Sequence, residues 1–217
     1  MTNEMTRYKE NSAALLARLG EELARHGYRT TKKEPQTFTR RHRDGRMDVL
    51  HVALVRHDDI DFDVVLDYGL RIDAAEKLVG ELTGLDTRDS TTMGNEIGNL
   101  IDGKQRRWKI AAAEDVEAAV AGLLQAAETI LFPYFDRNSD PRQALATLHD
   151  PSTGYRHSPF DGRRYTRALA LASVVGDRTA MEAVASEGRQ RLAAGHDPDA
   201  ARRFEEFAAK VLDHKRG

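Results

Sequence analysis

His51, Asp63 and Asp67 are the residues of this sequence whose types and spacing can do chemistry. An imidazole beside two carboxylates can ligate a divalent metal, or act as a general base with an acid to orient it. From Thr37 to Tyr68 apolar and polar residues alternate, and Ile60, Phe62, Val64, Leu66 and Tyr68 interleave with Asp61, Asp63, Val65 and Asp67. A period of two sends these sets to opposite faces of a strand. In the register derived below, His51 sits opposite Val65, with Asp63 and Asp67 at its diagonals, about 7 to 8 Å away between backbones. A metal demands more ligands than are visible there, so no metal, cofactor or catalytic residue is assigned. A metal-dependent hydrolase is only the third reading, because the same residues also fit the border of a solvated or helix-covered face.

Other stretches with chemical residues resolve into simpler roles. His57-Asp58-Asp59-Ile60-Asp61 contains a His-Asp pair of the kind found in metal-dependent phosphohydrolases. Those enzymes gather such residues from several helices, whereas this run falls in a hairpin turn, where aspartate is favoured by turn chemistry alone. Gly94-Asn95-Glu96-Ile97-Gly98 lacks the Gly-Lys-Ser/Thr ending of a phosphate loop. Two charged groups remain as candidate contact surfaces. Arg40, Arg41, Arg43 and Arg46, with His42, form a basic hairpin tip that can contact phosphates, and Lys104, Arg106 and Arg107 form a second basic group. Asp61, Asp63 and Asp67 form an acidic row suited, if it faces water, to steering a basic protein partner.

Two consecutive β-hairpins must position these groups. Leu50, Val52 and Leu54 form the apolar row of one strand, and this row shares a face with Phe62, Val64 and Leu66 only across an odd-numbered loop. A three-residue loop, His57 to Asp59, pairs Leu54 with Phe62, Val52 with Val64 and Leu50 with Leu66. The same parity argument gives the first hairpin a loop from Arg43 to Gly45, with Phe38 opposite Leu50, Arg40 opposite Asp48, and Gly45 as the left-handed residue. Before the hairpins, Tyr8, Ser12, Leu15, Leu16, Leu19 and Leu23 make a helical stripe over Met5–His26, and Tyr28 to Lys33 reads as a first strand. After them, Asp73 and Glu76 suggest a capping box for a helix ending at Gly84. The polar segment from Leu85 to Lys104 is a loop, or hides a strand near Ile97 to Ile101. Arg106 to Ala111 is a further strand, and a long helix from Asp115 is limited by Pro133. A short helix follows Ser139-Asp140-Pro141. Three helices, near Arg163–Val175, Arg178–Ala194 and Asp199–His214, make an antiparallel bundle.

The expected architecture is therefore α+β, an antiparallel sheet packed by long helices and followed by a C-terminal helical bundle. The expected division is a sheet domain over 1–149, a linker rich in Pro, Ser and Gly over 150–162, and the bundle over 163–217. The 217 residues carry a net charge of −2 despite being 31% charged, which excludes a general attraction to nucleic acid or anionic membrane. With no cysteine, disulfides and thiolate zinc sites are excluded. The polar start and the lack of any apolar run of about 18 residues predict a cytoplasmic protein without a membrane span.

The order of helix, Gly-Tyr strand, Thr-Phe-Thr-Arg strand, hairpin and aspartate-rich strand, then Ile97-Gly98-Asn99-Leu100, Trp108 and Leu131-Phe132-Pro133-Tyr134-Phe135, resembles an uncharacterised bacterial α+β family. That family is a domain of unknown function, and some of its members look like immunity proteins of polymorphic toxin systems. The resemblance covers roughly Leu15 to Leu148 and implies a protein partner, an immunity-type inhibitor binding a cognate toxin or effector through Asp61, Asp63 and Asp67. A nucleic-acid-binding or regulatory module using Arg40, Arg41, Arg43 and Arg46 is the alternative.

Overall fold

The computed structural model describes residues 2–57 and 61–214. It is an α+β chain. A five-stranded antiparallel open sheet is made of β1 (Thr37–Arg41), β2 (Arg46–Arg56), β3 (Phe62–Ile72), β4 (Met93–Glu96) and β5 (Trp108–Ile110). The order is β1-β2-β3-β4, and β5 also pairs with β3. Helices are α1 (Thr2–Arg25), α2 (Asp73–Thr83), α3 (Gly98–Ile101), α4 (Asp115–Ala126), α5 (Phe132–Arg137), α6 (Pro141–His149), α7 (Gly154–His157), α8 (Asp161–Val175), α9 (Arg178–Ala193) and α10 (Pro198–His214).

The first hairpin has the register its parity requires. Thr37 faces His51, Phe38 faces Leu50 and Arg40 faces Asp48, and Gly45 takes a φ of +82° in the connecting turn. The second hairpin is closed by the His57 N–H donating to the Asp61 carbonyl at 3.2 Å. That bond takes His57 out of the expected His57–Asp59 loop and shifts the expected Leu54–Phe62 pairing by one residue on each strand, with Arg56 and Phe62 as the strand ends; residues 58–60 lie outside the described residues.

The chain forms two compact units, neither of them continuous in sequence. One comprises Met1–His42, Met47–Gly69 and Glu96–Phe135, and the other Arg43–Arg46, Leu70–Asn95 and Asp136–Gly217. The division therefore does not fall at 150–162. That stretch carries α7, which packs on α6 and α8, and it is tied down by the Asp150 carboxylate, which accepts from the Ser152 and Thr153 amides.

In the first unit, the apolar row of the sheet is buried at Phe38, Leu50, Val52, Phe62, Val64, Leu66 and Tyr68 and partly exposed at Leu54. Helix α1 lies along α4 and buries Leu15, Leu19 and Leu23, each worth about 1.5–3 kcal/mol on leaving water. Tyr8 of α1 meets Phe62 edge-on, with ring centroids 5.2 Å apart. On β5, Ile110 is buried and the Trp108 indole lies so close to α4 that a Cβ at Gly122 would be 2.5 Å from its Nε1. The expected strand from Tyr28 to Lys33 is reduced to one bridge between Arg29 and Thr39. The Thr30 hydroxyl donates to the Glu34 carbonyl and the Glu34 amide to the Thr31 carbonyl, a local pattern that competes with a ladder. Helix α4 does not stop at Pro133. A π-turn, Ala127–Leu131, joins it to α5, and the Phe132 N–H reaches five residues back to the Ala127 carbonyl. Proline has no N–H for the ordinary ladder and its ring crowds the carbonyl four residues earlier; the wider turn lets the helix pass it. The run Asp115–Arg137 is long and apolar enough to cross a membrane by length and composition, with mean hydropathy 1.3 in its most apolar 18-residue window. Its Val116, Ala119, Val120, Leu123, Ala127 and Leu131 are buried in the fold, as in a core helix.

In the second unit α8 is central, packing on α2, α6, α9 and α10. Its buried face, Ala168, Leu169, Ala170, Leu171 and Ala172, is short enough in side chain to admit neighbours on several sides. Asp140 and Asp177 cap α6 and α9 by accepting from the Arg142 and Ala180 amides. The expected capping box at α2 is absent: Asp73 accepts from Arg71 Nε at 2.6 Å, and Glu76, fully buried, binds Arg167 of α8. His157, at the end of α7, is held down to about 4, mainly by burial, with Arg156 and Arg137 adding to the fall and Asp150 opposing it. Above the ordinary value of about 6.5 both folded and unfolded chains hold it neutral. As pH falls towards 4 only the unfolded chain takes up the proton, so stability is lost across that window. Allowing for its partial exposure, roughly 2 kcal/mol is at stake. Urea unfolding near pH 7.5 and pH 4.5 should show this acid loss shrinking by that amount in His157→Gln.

Candidate functional site

The sheet of the first unit has one largely buried face and one half-covered face. On the half-covered face, Thr37, Thr39, Val49, His51, Ala53 and Asp67 are partly exposed, and Val55 is 37% exposed. Strict alternation along β1, β2 and β3 puts them there. Along β2, Val49, Ala53 and Val55 form an apolar row interrupted by His51, with further polar groups to either side.

The acidic row is present on this face, but it is not bare. Asp61 is 2.5 Å from Lys109 Nζ, and this contact holds its carboxyl below the usual range. The Asp63 side chain is 13% exposed and accepts from Arg107 Nη1 at 2.8 Å, with His57 Nε2 at 3.1 Å; its carboxyl is held down chiefly by the Arg107 bond, burial opposing. Both cations come from β5 and the residue before it, because β5 pairs antiparallel with β3, setting Lys109 opposite Asp63. Asp67 behaves differently. Burial raises its carboxyl above the usual range; His51 pulls against that and the charge of Glu96 adds to it. Glu96 is buried and pins the following loop by accepting from the Gly98 and Arg106 amides.

His51 Nδ1 lies 3.0 Å from the Thr37 hydroxyl. Asp63 is turned to Arg107 and His57, so the arrangement of His51 between Asp63 and Asp67 does not assemble as a ligand set. Among the described residues no three His, Asp or Glu side chains are grouped closely enough to hold a metal. The Thr37 contact was readable from the register, since Thr37 faces His51 directly. The roles of Arg107 and Lys109 were not, because a three-residue strand carries too little periodicity to be aligned.

The basic hairpin is also partly used up by the fold. Arg40 Nε and Nη2 donate to Asp48 Oδ2 at 2.9 and 2.8 Å, and its guanidinium lies 4.9 Å from the Tyr28 ring centroid and 5.3 Å from that of Phe132. Arg46 is buried and faces Asp136 at 3.6 Å. Arg41 and Arg43 are exposed, so the expected four-residue phosphate surface contracts to two. No family model, curated protein or solved structure matches the chain.

Proposed function

We propose that the chain is a protein-binding module, an immunity-type inhibitor that covers a basic toxin or effector with the half-covered face of its sheet. The observation that carries this reading is the asymmetry of the sheet: one face is largely buried, whereas the other presents Val49, Ala53 and Val55, with His51 among them, inside a polar frame. Protein interfaces have the same anatomy, a centre depleted of charge within a polar rim. The class of target follows from the family resemblance. Charge complementarity enters by exchange. The Lys109–Asp61 and Arg107–Asp63 pairs have cations 63% and 43% exposed, on carboxylates 18% and 13% exposed, so the cations are the water-screened members. A partner's arginine or lysine can take their place on the carboxylates. A cytoplasmic location belongs to the same proposal, since a chain without cysteine gains nothing from an oxidising compartment.

The test is purification of the tagged protein from its own host, run beside Ala53→Arg and beside a combined Asp61→Asn, Asp63→Asn, Asp67→Asn variant. The expected result is one stoichiometric basic protein on the parent chain. Ala53→Arg should weaken its binding at least tenfold with an unchanged unfolding midpoint. Undiminished binding by both variants would remove the sheet face from the mechanism.

A further inference from the structure

Within the second unit, α2, α8 and α10, with the segments leading into α8 and α10, enclose a cavity of about 680 Å³. Its floor is apolar, formed by Val79, Leu82, Phe204 and Phe207. Two large apolar side chains at the same cavity stand in water: Phe160, 70% exposed, and Leu85, 59% exposed. A volume in the range of about 300–1,000 Å³ is typical of small-molecule sites, and here charged side chains, among them Asp161, Asp197 and Glu206, share the lining with the apolar groups.

The charges on the wall are unevenly matched. Arg167 is clamped on Glu76 by two parallel bonds, Nη2 to Oε2 at 3.1 Å and Nε to Oε1 at 3.4 Å. Arg191 meets Asp161 at 3.1 Å, and Arg203 meets Asp197 at 4.0 Å. The other two cations bond to uncharged oxygens. Arg163 donates to the carbonyl and hydroxyl of Thr91 at 2.8 and 2.9 Å, and Lys210 donates to the Leu82 carbonyl at 2.7 Å, at the end of α2. Arg163 and Arg167 are four residues apart and so neighbours on one face of α8. A cavity with an apolar floor, an apolar mouth and two cations spent on neutral acceptors complements one kind of guest.

We infer that this cavity binds a small amphipathic anion, its carboxylate or phosphate head at one of the two cations bonded to neutral oxygens, Arg163 or Lys210, and its hydrocarbon body over Leu82 and Phe207. The recess is open to water at one side yet deeper than a flat face, a shape that favours a soluble single molecule over a lipid surface. The inference is independent of the sheet-face reading.

Titration calorimetry of the full chain with octanoate, decanoate and dodecanoate, and with dodecanol as the uncharged match, tests it. Binding should saturate and tighten about fourfold per methylene, the gain expected when each leaves water, and dodecanol should bind at least tenfold more weakly than dodecanoate. In the Arg163→Ala, Lys210→Ala double variant that preference for the carboxylate should vanish, whereas Phe160→Ser, at an exposed position, should weaken both ligands. Equal affinity for octanoate and dodecanoate, equal affinity for acid and alcohol, or a carboxylate preference that survives the double variant would each overturn the inference. Co-sedimentation with phosphatidylglycerol vesicles without dodecanoate binding would mark a membrane surface instead and overturn it equally.

Discussion

Replacing Asp48 by alanine should lower the unfolding free energy by about 3–5 kcal/mol, the cost of breaking a buried ion pair on one side. Asp48 is fully buried on β2. Its Oδ2 accepts from Nε and Nη2 of Arg40 and lies 2.8 Å from Nε2 of His42. Alanine would leave the Arg40 guanidinium, only 21% exposed at its side chain, beside the Tyr28 and Phe132 rings with no counter-charge. The loss is a large part of the roughly 5–15 kcal/mol that holds a domain of ordinary stability. Urea titration followed by far-ultraviolet circular dichroism would measure it. The Arg40→Ala variant and the Asp48→Ala, Arg40→Ala double variant complete a cycle. The double variant should be more stable than the sum of the singles implies, because no unpaired charge remains inside.

Glu76→Ala should be as costly, about 3–5 kcal/mol, and for a related reason. Glu76 is buried on α2 and receives the fork of Arg167 from α8, a geometry that adds strength and fixes direction. Its backbone carbonyl accepts from the Thr87 hydroxyl at 2.9 Å, a tie to the segment after α2 that alanine leaves in place. Without the carboxylate, Arg167 keeps its charge within a helical interior and α2 loses a polar tie to α8. Urea unfolding should show the loss directly. Replacing both partners, as Glu76→Leu with Arg167→Met, should recover most of it, since two apolar side chains of similar volume relieve the desolvation of both ions. Failure of the pair to recover would mean that the ions are needed to hold the helices apart at the right spacing.

Much of the sheet was legible because period-two alternation and loop parity act together. Phe38 and Leu50 can share a face in only one parity, and that requirement also set Arg40 against Asp48 and Thr37 against His51. What those facing pairs imply was not carried through: an arginine opposite an aspartate on a strand is consumed by it, which removes Arg40 from any phosphate surface. Helix starts at Asp140 and Asp177 were readable from capping chemistry. The capping box at Asp73 was not realised, because Glu76 finds a stronger partner in Arg167, ninety-one residues away in sequence, and local patterns hold no record of such a partner. The division of the chain was hidden for the same reason: α2 joins α8 and α10 through packing, not through proximity along the chain. Of the two candidate sites, the sheet face could be anticipated from alternation. The cavity of the second unit could not, since its wall is assembled from residues between Val79 and Lys210.

The π-turn at Ala127–Leu131 gives the long helix a frame, in the sense that a message has one. Its extra residue is a single insertion absorbed by the wider turn; unabsorbed in an ideal helix, it would turn everything downstream by about 100°. Upstream of it, Val120 and Leu123 face the core; downstream, Tyr134 meets Tyr68 with centroids 5.0 Å apart and Phe135 is fully buried. The two halves share one interior because the wider turn takes up its extra residue locally. A one-residue deletion inside the turn would therefore close it to an ordinary α-turn, whereas the same deletion elsewhere in the helix would act at a distance, rotating an aromatic pair out of the interior while leaving every side chain of the pair intact. Point substitutions in the turn leave the frame alone. Length, more than composition, is what this segment encodes.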